Sequence, residues 1–113
     1  MSLLIITWGR LRHKHRPLES QKNWYVGMLT LPTDCPLLDG INGTDQQFIK
    51  CIDKDSSAHA ILRKIAETIN EGGYTVISIS CEYGVHRAVA LAELLKKHHY
   101  PEAEICHLDL LKE

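Results

Sequence analysis

The sequence predicts an α/β fold: a single three-layer domain with a mostly parallel sheet of about four strands covered by helices, and a phosphate-binding loop between a strand and a helix N-terminus. Three observations predict it. LLIITW (3–8) is a continuous apolar run, the pattern of a strand covered on both faces. TVISIS (75–80) is a second such run, and it leads through a glycine-containing loop into an apolar helix. Strand and helix patterns then alternate to the end of the chain, as they do where helices cross over a parallel sheet. A length of 113 residues suits one domain with its own core, and 44% hydrophobic with 24% charged residues argues against disorder.

Taken in order, the first apolar run is too short to span a membrane, and its basic residues follow rather than precede it. It reads as a buried strand, not as a secretory signal or membrane anchor. RLRHKHR (10–16) comes next and makes the first 22 residues basic, although the net charge of the chain is only −1. Two readings stand side by side: a solvated loop, or a contact for phosphate or RNA through Arg10, Arg12, His13, Lys14 and Arg16. WYVGMLTL (24–31) reads as a second strand stopped by Pro32, with Trp24 and Tyr25 in the core rather than forming a stacking platform. The stretch onward to Asp45 is rich in Pro, Gly, Asp and Asn and reads as a loop. Ser56 or Ser57 is the expected cap of a helix in which Ala58, Ile61, Leu62, Ile65, Ala66 and Ile69 recur at three- and four-residue steps, and Gly72 and Gly73 end it. The last helix should bury Ala88, Leu91, Ala92 and Leu95 and stop by Pro101, before AEICHLDL (103–110) closes the chain as a strand.

Cys35, Cys51, Cys81 and Cys106 are scattered, with no C-x-x-C pair. They are expected as reduced thiols of a cytoplasmic protein, with no disulfide, no metal site and no cofactor.

The chemistry concentrates in CEYGVHR (81–87). A strand that runs into a glycine-containing loop and then a helix aims backbone N–H groups, and the positive end of the helix dipole, at one spot. Arg87 falls in the first helical turn, where its planar fork can grip phosphate oxygens. The predicted ligand site is therefore Cys81, Glu82, Tyr83, Gly84, Val85, His86 and Arg87, beyond the carboxyl end of its strand. Cys81 and Arg87 also make a C-x5-R motif, in which a thiolate attacks phosphorus while arginine holds the oxygens. Here Ser80 precedes the cysteine, Ala88 lacks the hydroxyl that helps a thiolate leave, and Glu82 puts negative charge in the loop. Cys81 is thus catalytic only if the chain is a phosphatase.

ISCEYGVHRAVALAELL followed by EICHLDL resembles the C-terminal domain of the RapZ family of RNase adapter proteins. Cys81, Gly84, His86, Arg87, Ala92, Glu93, His107 and Asp109 match its pattern in place, and TLPTD (30–34) and NGTD (42–45) resemble its upstream loops. The resemblance implies a binding module that recognises phosphorylated amino sugar and regulatory RNA, with His107, Thr44 and Asp45 joining the ligand site. It implies one such domain over residues 1–113, and no G-x-x-x-x-G-K-[ST] occurs to suggest an ATPase half. The chain departs from the family at Glu82, Tyr83 and Ala88, and at Gly27, Leu29, Cys106 and Leu108, where basic side chains are fewer. The expectation is binding of a phosphorylated small molecule without catalysis, with RNA as a second partner. So narrow a sheet also leaves an edge through which the chain could form a homo-oligomer.

Overall fold

The two apolar runs form the two central strands of the computed structural model, which describes residues 2–33, 35 and 40–110. β1 (Leu4–Gly9) and β3 (Val76–Cys81) pair in parallel from Leu4 opposite Val76 to Gly9 opposite Cys81. β2 (Lys22–Tyr25) flanks β3 and β4 (Glu104–His107) flanks β1, so the all-parallel order is β2-β3-β1-β4. The edge strands have only four residues each, which limits the unpaired edge they present.

Handedness explains how the sheet is covered. From β2 to β3 and from β3 to β4 the chain steps across the sheet in one direction, and right-handed crossovers put the connecting helices of both steps on the same face. Side chains of that face, Ile5, Ile77 and Ile79, share one apolar cluster with Phe48, Leu62, Ile65, Leu91 and Leu95 of the helices. The step from β1 to β2 runs the other way, and its connection covers the opposite face. There Ser20 pairs with the buried Ser78 at 3.0 Å, and the ring of His13 meets Trp8 edge-on. The third layer is thus the 10–21 segment rather than a helix.

The helices are α1 (Gln46–Asp53), α2 (Ser56–Gly72) and α3 (Arg87–His98). α2 buries the expected stripe, and Gly73 ends it in the left-handed conformation at φ 65°. Its cap is Asp55, whose carboxylate accepts from the Ala58 N–H at 3.1 Å, so Ser56 and Ser57 lie inside the helix. A carboxylate outcompetes a hydroxyl here because it also meets the positive end of the dipole. α1 escapes a periodicity search because eight residues give barely two turns, and Asp45 caps it through the Phe48 N–H. α3 is buried along Ala88–Ala92 as well as at Leu94 and Leu95, since it lies between the sheet and the other two helices.

Three further expectations are corrected. The closing strand stops at His107, and 108–110 form a turn that carries Asp109 back toward Gly9. β2 ends at Tyr25 instead of continuing to Leu31, because the chain folds back over the Tyr25 ring at Gly27, where any side chain would collide with the phenol. Cys35 and Cys51 are joined in a disulfide between the turn after Pro32 and α1, so only Cys81 and Cys106 are free thiols. Spacing holds no signal for that bond, since it depends on where the helix layer carries α1. Peptide mapping without reduction should therefore recover the Cys35–Cys51 pair linked and Cys81 and Cys106 unlinked. Reducing the bond should lower stability by about 3 kcal/mol, the loop-entropy value for 16 residues.

Candidate functional site

The connections after β1 and β3 leave neighbouring strands toward opposite faces, and a crevice opens where they part. The two loops are laced together there: the Arg10 N–H donates to the Cys81 carbonyl and the Leu11 N–H to the Glu82 carbonyl, both at 2.9 Å. Gly84 sits at φ 75°, and a Cβ on it would lie 2.5 Å from the Gly9 nitrogen and 2.6 Å from an Asp109 oxygen. Only glycine fits both the left-handed backbone and the close approach. Asp109 is buried just after β4 and accepts from the Gly9 N–H at 2.7 Å and from His13 Nε2 at 3.0 Å.

The loop then delivers its side chains to a cleft of about 380 Å³ lined by Cys81, Glu82, Tyr83, Val85, His86 and Arg87. His86 precedes α3 but does not cap it. Its Nε2 instead donates to the Ile41 carbonyl at 2.8 Å, leaving the first turn of α3 without a side-chain acceptor. No acidic residue stands in that turn either. Arg87 is half-buried and is held by Nε, which donates to the Leu29 carbonyl at 2.8 Å. Among the described residues no acceptor meets its two terminal nitrogens, so the fork stays open. The site can thus offer one anion a positioned guanidinium at the positive end of the α3 dipole.

Glu82 lines the same cleft, and its carboxylate accepts from the Tyr25 hydroxyl at 3.0 Å. Arg10 lies over that same Tyr25 ring at 4.6 Å, and Arg12 stands 5.8 Å from the ring of the exposed Tyr83. Beside this lies a second cleft of about 420 Å³, lined by Trp8, Arg12, His13, Lys14, His15, Arg16, Pro17 and Leu108. The basic segment is therefore a shaped wall next to the loop rather than a free arm.

Other expected residues stand differently. His107 does not line the Cys81–Arg87 cleft: its Nδ1 meets the Thr7 hydroxyl at 2.7 Å and its Nε2 donates to Glu93 at 2.8 Å, which pins β4 to β1 and α3. Asp45 is committed to capping α1, and Thr44 donates to the Asn42 side chain. Neither lines the cleft, although the preceding Gly43 N–H donates to the Val85 carbonyl at 2.6 Å and ties this turn to the loop. Asp34 and residues 36–39 of the 33–45 loop lie outside the described residues. Cys81 contacts the cleft but is 4% exposed and belongs to the apolar cluster, as a small buried cysteine does. Sequence reasoning missed the Leu29 carbonyl and the depth of Asp109. The first carries no side-chain signal, and the second was legible only as an acidic residue in the apolar run LDLL.

The chain is 30% identical over 107 residues to proteins named nucleotide-binding protein from Bacillus cytotoxicus, Bacillus thuringiensis and Bacillus mycoides. Each match takes in 85% of this chain and 36% of the relative, so the chain spans about a third of the length of the curated relatives it matches. No protein-family profile matches it.

Gly84→Ala should lower stability by at least about 2 kcal/mol in a denaturant titration, because left-handed strain and backbone overpacking act together. A change under half that would mean that the loops part easily and that the cleft is not rigid.

Proposed function

We propose that this chain is a single domain over residues 1–113, of the RapZ C-terminal type, that binds a phosphorylated small molecule, a nucleotide or sugar phosphate, without chemistry. One observation carries the reading: the uncapped first turn of α3, the open fork of Arg87 and the cleft beside them converge at the parting of β1 and β3. The relatives' name supports a nucleotide within that class. In the bound state the phosphate oxygens would accept from the α3 amides and from Arg87, while His86 and Tyr83 border the remainder of the ligand. The C-x5-R phosphatase reading has less support, because Cys81 packs in the core and the buried Ala88 supplies no hydroxyl.

Thermal unfolding against orthophosphate, mononucleotides, cyclic nucleotides, sugar phosphates and their unphosphorylated counterparts tests the proposal. A phosphorylated ligand at a hundred times its Kd should stabilise the fold by about 2.7 kcal/mol. Arg87→Ala should weaken that ligand by about 1.5 to 3 kcal/mol, the range for hydrogen bonds to charged groups. A ligand that stabilises wild type and Arg87→Ala equally, or no stabilisation by any phosphorylated compound, overturns the reading.

The basic cleft favours a second reading, in which RNA lies along Arg12, Lys14 and Arg16 with a base against Tyr83. Binding would then fall linearly with salt on logarithmic axes. Replacing Lys14 and Arg16 together by Ala should reduce the slope by about 1.4 for a single strand. Absence of any RNA complex at low salt dismisses this reading.

A further inference from the structure

At the far end of α3 from the cleft, about 17 Å away along a 12-residue helix, three helix termini meet. Asp53 is the last residue of α1, His59 lies in the first turn of α2, and His98 is the last residue of α3. Both histidines aim Nε2 at one carboxylate oxygen, Asp53 Oδ1, from 2.9 Å for His59 and 2.8 Å for His98. One ligand atom from each of the three residues lies within 4.8 Å of the others. His59 Nε2 also stands 2.7 Å from the Asp53 carbonyl, while Lys97 reaches the outer oxygen Oδ2 at 3.3 Å.

We infer that Asp53, His59 and His98 form a binding site for a divalent transition-metal ion of the zinc class, which ties the ends of α1, α2 and α3 together. The donor set is two imidazoles and one carboxylate, the mixture that suits Zn²⁺, Co²⁺ and Ni²⁺ rather than Mg²⁺ or Ca²⁺. With bonds of about 2.0 Å, a tetrahedral ion wants ligand atoms about 3.3 Å apart, and both histidine nitrogens stand within about half an ångström of that separation from Oδ1. All three side chains are partly exposed, with relative accessibilities of 28% for His59, 21% for Asp53 and 35% for His98, so an ion can enter and water can fill the remaining position. Lys97 would act as the outer partner that fixes the carboxylate with Oδ1 facing the histidines. Each ligand belongs to a different helix, so the ion would close contacts between segments 39 to 45 residues apart, and also the short α1–α2 corner. Neither the anion cleft nor the basic cleft shares a residue with this site.

Titration of the untagged, metal-stripped chain with Zn²⁺ and Co²⁺ tests the inference. One equivalent of Co²⁺ should bind and give the visible absorption of a low-symmetry, four- or five-coordinate ion, and Zn²⁺ should displace it and raise Tm. His59→Gln and His98→Gln should each weaken Zn²⁺ at least about 10-fold while leaving the melting of the metal-free chain close to that of wild type. Should either variant fold poorly, ring NMR signals of the wild type decide: Zn²⁺ must shift His59 and His98 first among the seven histidines. Absence of binding, binding undiminished in both variants, or first shifts at other histidines overturns the site.

Discussion

A buried carboxylate holds the site together. Asp109 follows the last strand, yet its oxygens reach back to the Gly9 N–H at the end of β1 and to His13 in the basic segment, and they crowd against Gly84 in the loop after β3. Three connections that leave the sheet in different directions are therefore fixed to one point. A buried carboxylate is costly unless its lone pairs are used, and here a backbone amide and an imidazole use them. The same contact explains two glycines. Gly9 and Gly84 must both lack side chains for the loops to close over Asp109, and a Cβ on Gly9 would collide with the Tyr83 carbonyl.

The position of the cleft follows from chirality rather than from any one residue. Right-handed crossovers commit α1, α2 and α3 to one face, and the reversed step from β1 to β2 commits the basic segment to the other. The parting between β1 and β3 is the place where the two faces' loops meet. That is why Arg10 and Arg12, about seventy residues before the loop in sequence, flank it in space: the Arg10 N–H meets the Cys81 carbonyl and Arg12 stands beside the Tyr83 ring. In this arrangement the Cys81–Arg87 cleft and the basic cleft are neighbours, joined where Arg12 meets Tyr83.

Much of this was legible in the sequence, for physical reasons that can be named. Buried parallel strands leave unbroken apolar runs, so β1 and β3 were found within a residue of their ends, and the strand-loop-helix order placed Cys81–Arg87 correctly beyond a carboxyl end. The edge strand β2 was misjudged because Val26 and Leu29 are apolar for the sake of the core, not of a ladder. His107 was expected among the ligand-facing residues, but β4 turns its ring toward Thr7 and Glu93, a matter of register that pattern cannot fix. The Cys35–Cys51 bond and the Asp53, His59 and His98 group were invisible for a common reason. Each joins α1 to a residue that only tertiary packing brings beside it, Cys35 in the one case and His98 in the other.

The charges along α3 return the question to the cleft. Lys96, Lys97 and His98 stand in the last turn, where cations oppose the negative end of the dipole, whereas Arg87 stands at the first residue, where a cation meets the positive end. A misplaced charge of that kind costs about 0.3 to 1 kcal/mol when exposed and up to about 2 kcal/mol when partly buried, as Arg87 is. One charge-assisted hydrogen bond from Nε to the Leu29 carbonyl contributes about 1.5 to 3 kcal/mol, so the fold can hold Arg87 there against the dipole. An alanine or glutamate in its place would serve the helix better. Under the proposed function the arrangement would become favourable with a phosphate beside the fork, since the anion would then face the dipole and the guanidinium together. The residue that the helix would not choose is thus the one that an anionic ligand requires.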